Sequence, residues 1–100
     1  MNDSKGKKFV LEKAIKFGRL AANNGSKTEI QNIPISLMKL VRLLMSENGD
    51  RWCDESIDYV NEAYQWHLEA ADNEYFNVHE KNESKDYARK MLKSFEGIIN

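Results

Sequence analysis

The chain is predicted to be all-α: a small bundle of about four helices plus one short helical turn, folded as a single domain over residues 1–100. One proline interrupts 100 residues, and few segments show the period-two alternation of half-buried strands. Apolar residues recur at three- and four-residue spacing, and the repeating stretches are divided by residues that stop or cap helices.

The elements follow in order. Residues 1–7 are polar and basic and are expected to fray. Val10, Ala14, Phe17 and Ala21 mark the inward face of a first helix, with Leu11, Ile15 and Leu20 beside it. Asn23-Asn24-Gly25 supplies a left-handed stop. Ser26-Lys27-Thr28-Glu29 reads as a capping box opening a short turn. Ile33 precedes a proline and is pushed away from helical geometry, which ends that turn near Asn32.

Pro34 then suits the first position of a long second helix reaching Asn48-Gly49. Ile35, Leu37, Met38, Leu40, Val41, Leu43, Leu44 and Met45 make it the central, most buried element, with Ser36, Lys39, Arg42 and Ser46 as its wet stripe. Asp50 is the expected N-cap of a third helix. Its inward face would be Cys53, Ile57, Val60, Tyr64, His67, Ala71 and Tyr75, with a bend or frayed end around Asp72-Asn73-Glu74. Residues 77–83 read as a polar connection. The last helix starts near Ser84 and repeats through Tyr87, Ala88, Met91, Leu92, Phe95, Ile98 and Ile99. Short connections favour antiparallel neighbours. Gly25 and Gly49 act as stops, and Gly18 is placed to admit close helix contact.

Net charge is −1 but unevenly spread: +5 over residues 1–48, −8 over residues 49–83 and +2 over residues 84–100. Local fields therefore matter more than the total. The lone Cys53 rules out an internal disulfide. No apolar run approaches the roughly 18 residues of a membrane span, and the polar start lacks a signal-like apolar stretch. A cytoplasmic location without membrane contact is expected.

The strongest functional lead is an acidic and aromatic helix face. Ten of the sixteen carboxylates lie between Asp50 and Glu83, and six of the ten aromatics between Trp52 and Phe76. At 3.6 residues per turn, Asp54, Asp58, Glu62, Glu69 and Asp72 share a quarter of the helix circumference. Trp52, Tyr59 and Trp66 border that stripe at seven-residue intervals, where aromatics serve either as contact anchors or as wedges against a neighbouring helix. A solvated face normally intersperses lysine at four-residue spacing, yet Asp50–Glu80 holds one arginine, Arg51, and no lysine. Five charges over roughly 27 Å are far sparser than duplex DNA, with about one per 1.7 Å. Docking to a basic protein surface fits better than imitation of a duplex. The stripe could equally be neutralised by Lys13, Lys16 and Arg19 of the first helix, or by a second copy.

Other chemistry is thinly represented. Lys7, Lys8, Lys13, Lys16 and Arg19, with Lys5, form the one cationic cluster and supply the alternative of a DNA-binding regulator. The apolar second helix, however, does not suit a recognition helix. Cys53, His67 and His79 stand at no metal-ligand spacing. His67 reads as a core histidine and His79 as ordinary surface. Cys53 and His67 are fourteen residues apart on one helix and do not meet. The carboxylates have no apolar pocket to raise a pKa, and scattered glycines make no phosphate loop. Neither an enzyme nor a cofactor is expected.

The expected function is that of a non-catalytic accessory or inhibitory protein. It would bind a basic host protein, such as a nucleic-acid-processing or defence enzyme, in the style of phage and mobile-element inhibitors. A further alternative is a self-assembling subunit, such as a homodimer, joined through its first and third helices.

Overall fold

In the computed structural model, which describes residues 4–99, helices α1 (Ser4–Asn23), α2 (Lys27–Glu47), α3 (Asp54–Asp72) and α4 (Val78–Ser94) follow one another in space as in sequence. α1 packs on α2, α2 on α3 and α3 on α4. Among the described residues no other pair of helices brings its Cα atoms within 8 Å. The result is an open array of 44 × 29 × 18 Å rather than a closed ring of four. Its radius of gyration, 14.0 Å, exceeds the ~13 Å expected of 100 residues.

α1 begins at Ser4, so residues 4–7 are helical, while residues 1–3 lie outside those described. Its inward face is Leu11, Ile15, Gly18 and Ala22, whereas Val10, Phe17 and Leu20 point outward. The predicted face is thus turned by one residue, about 100° of the helix circumference. Gly18 accounts for the choice. A Cβ there would lie 2.9 Å from Glu29 Oε2 and 3.1 Å from Ile33 Cγ1, so the helices touch where the side chain is absent. Gly25, at φ +92°, ends the helix as expected.

α2 is the central helix, with Ile30, Ile33, Pro34, Leu37, Leu40, Val41 and Leu44 buried. The short turn and the second helix form one element, and Pro34 lies inside it rather than at its start. Ser26 accepts a hydrogen bond from the Glu29 N–H and fixes the first turn. An interior proline costs about 3 kcal/mol. Burying Ile30 and Ile33 returns roughly 1.5–3 kcal/mol each, so tertiary packing outweighs the local preference.

Beyond α2, Gly49 (φ +62°) and Asp50 (φ +59°) both take left-handed backbone, a conformation aspartate tolerates. Asp50 is therefore a turn residue, and Cys53 is the N-cap of α3. The Cys53 N–H donates to Ser56 Oγ at 3.0 Å. Ser56, Val60, Ala63 and Ala70 form the buried face. Cys53, Ile57, Tyr64, His67 and Ala71 are half-buried beside it. Tyr75 is 77 % exposed, and Phe76 takes the core position instead. α4 starts at Val78, six residues before the expected Ser84. Asn77 Oδ1 accepts from the Glu80 N–H at 2.8 Å, and Glu80 Oε1 accepts from the Asn77 N–H at 3.0 Å. This reciprocal box converts the supposed connection into two helical turns.

Candidate functional site

α3 runs unbroken from Asp54 to Asp72, so the carboxylate stripe exists as a continuous face. Asp54, Asp58, Glu69 and Asp72 are exposed and, among the described residues, make no ion pair. Glu62 departs from the set. Its carboxylate receives Arg19 Nε at 2.8 Å, the Arg19 Nη2 on its other oxygen, and Trp66 Nε1 at 3.0 Å. Desolvation pushes its pKa up, but the Arg19 and Trp66 hydrogen bonds and the arginine charge outweigh it and hold the carboxyl below its ordinary value. The same bond raises the Arg19 guanidinium against the opposing effect of burial. α1 and α3 do not pack directly, so this clasp ties them across α2.

The three border aromatics are half-buried and packed against the core. Trp52 meets Phe95 edge-on with ring centroids 5.9 Å apart. Trp66 donates to Glu62. Tyr59 donates to Glu55 Oε1 at 3.4 Å, and burial first, then nearby carboxylates, raise its phenol pKa. They support the stripe from its edge and keep part of each ring in solvent. Glu55, on the next helical position, adds a fifth exposed carboxylate that the quarter-turn count omitted.

The basic residues separate. Arg19 is committed to Glu62 and Lys8 approaches Glu12 at 3.9 Å. Lys7, Lys13 and Lys16 are exposed, with Lys13 Nζ 5.7 Å from the Phe9 ring centroid. They alternate with Phe9, Val10, Phe17 and Leu20 on the outer side of α1, an apolar row unlike a phosphate-binding strip.

A second concavity escapes sequence reasoning because it depends on which helices fail to meet. α2 and α4 lie parallel on either side of α3 and leave a groove of about 630 Å³. One end is clasped by Lys27 Nζ to Glu80 Oε1 at 2.7 Å and Gln31 Nε2 to Glu80 Oε2 at 3.4 Å; Arg42 lines the other. His67 sits in its wall, stacked on Tyr87 with centroids 5.3 Å apart, and burial lowers its pKa. The bond from Ser56 lowers the Cys53 thiol, but no histidine stands with it. Among the described residues no three His, Cys, Asp or Glu gather to hold a metal ion, and no helix is long and apolar enough to cross a membrane. Comparisons with protein-family models, curated proteins and solved structures return no match.

Proposed function

We propose that this protein acts by binding, not catalysis, and that the outward carboxylate face of α3 docks on a basic surface of another protein. What supports the reading is that Asp54, Asp58, Glu69 and Asp72 are exposed on an unbroken helix and, among the described residues, make no ion pair, while Arg19 of α1 is spent on Glu62. Glu62 belongs to the scaffold, and Trp52, Tyr59 and Trp66 contribute their exposed edges as rim contacts. Basic surfaces of this kind belong above all to enzymes that handle nucleic acid, so an accessory or inhibitory role against such an enzyme is the corresponding function. Attraction of this sort steers encounter and weakens with salt.

The test is affinity capture from a cell lysate with the full chain and with Asp58→Lys/Glu69→Lys, two exposed positions outside the Arg19–Glu62 clasp. Capture of a basic protein by the wild type, lost in the double variant and reduced by added salt, supports the proposal. Undiminished capture by the double variant overturns the assignment of this face.

A further inference from the structure

Two surfaces with apolar side chains lie open to solvent, one on α1 and one between α2 and α4. On α1, Phe9, Val10, Phe17 and Leu20 are 57–64 % exposed, with Lys13 over the Phe9 ring and Lys39 of α2 beside Val10. Between α2 and α4 the groove exposes Ile35 and Tyr87, with Met38 and Met91 deeper in its walls.

We propose that these surfaces bind each other between copies, so that α1 of one protomer lies in the α2/α4 groove of the next. Their lengths agree. Phe9 to Leu20 and Gln31 to Arg42 each advance eleven residues, about 16 Å of helix. Their charges agree in one direction only. The lysine-rich start of α1 belongs beside Glu83, Glu80 being held by Lys27 and Gln31, and its C-terminal carbonyls belong beside Arg42, where the negative end of a helix dipole meets a cation. The inserted α1 therefore runs parallel to α2 and α4 and antiparallel to the α3 floor. Because the two surfaces differ, the contact is heterologous and leaves a free donor and a free acceptor at each step. One helix face buries less than the ~1,200 Å² typical of stable interfaces, so association depends on concentration. The α3 carboxylates take no part, and this inference stands or falls apart from the docking face proposed above.

The experiment is sedimentation or light scattering of the full chain, with circular dichroism confirming that each variant is folded. The wild type should rise above the 11.6 kDa monomer as concentration increases. Phe17→Glu breaks the inserted row and Ile35→Glu breaks the groove; both positions are more than half exposed, and each variant alone should stay monomeric. Mixed in equal amounts, one supplies an intact groove and the other an intact α1, so a 1:1 dimer should form and grow no further. Val10→Glu and Tyr87→Glu repeat the cross if either first variant loses helicity. A wild type monomeric to about 1 mM overturns the proposal. So does a mixture that stays monomeric, or assembly that survives Ile35→Glu, which would show α1 pairing with itself. Asp58→Lys/Glu69→Lys should assemble like the wild type.

Discussion

Gly18 and Glu62 decide where α1 sits, and each makes a separate prediction. At Gly18→Ala the Glu29 carboxylate can swing away, but Ile33 is 1 % exposed and cannot. Overpacking should destabilise the fold by about 1–2 kcal/mol, read by urea denaturation. Glu62→Gln removes a charged acceptor shared by Arg19 and Trp66 and should cost about 1–2 kcal/mol, a loss of some 4–8 °C in Tm per kcal/mol. Acid sensitivity follows from two lowered pKa values. The folded Glu62 carboxyl lies below its usual value of 4.5, so its contribution is complete above that value and drains away as pH falls through it towards the folded one. The folded His67 imidazole lies below 6.5, so the unfolded chain takes up the proton first, and stability falls as pH drops below 6.5. Thermal melts followed from pH 7.5 to well below 4.5 should decline in two stages. Glu62→Gln should flatten the lower stage, and His67→Phe, which preserves the stack on Tyr87, the upper. An unchanged profile in His67→Phe would refute burial as the source of the upper stage.

At the level of helices, the first two stops are legible in the sequence and the last is not, since α4 ends at Ser94, short of Phe95, Ile98 and Ile99. Gly25 and Gly49 end α1 and α2 as read from sequence because positive φ leaves few alternatives to glycine. Ser26 likewise caps as expected. Pro34 misleads because a local rule meets a stronger tertiary effect, the burial of Ile30 and Ile33 in the turn before it. The box of Asn77 and Glu80 was present in sequence at the capping spacing, but charge and polarity in residues 77–83 concealed it. Asn77→Ala should lower stability by about 1 kcal/mol and speed amide exchange at Glu80 and Lys81 before it affects α2. Equal acceleration throughout would refute a local role. The sequence points to the wrong face of α1 because Val10 and Phe17 outweigh a glycine, although only the glycine side admits α2 closely. Of the candidate site, the carboxylate stripe followed from helical periodicity alone. Arg19 is among the neutralising residues that the sequence offers, but that it takes Glu62 alone depends on a partner forty-three residues away and so on how α1 packs.

Over the whole molecule, each terminal helix has one neighbour and each middle helix two. Protection against hydrogen exchange should therefore be greatest in α2, flanked on both sides, and least in α4, whose buried residues are Ser84, Ala88 and Met91. Uniform protection across the four helices would contradict that order. The same arrangement sets the kinetics. Every helix finds its partner across a connection of three to six residues, so no distant ends need to be brought together before native contacts form. Low-contact-order helical domains of this kind fold in microseconds to milliseconds. Refolding here should belong to that fast class, with growth able to spread outwards from the α2–α3 pair in either direction along the chain.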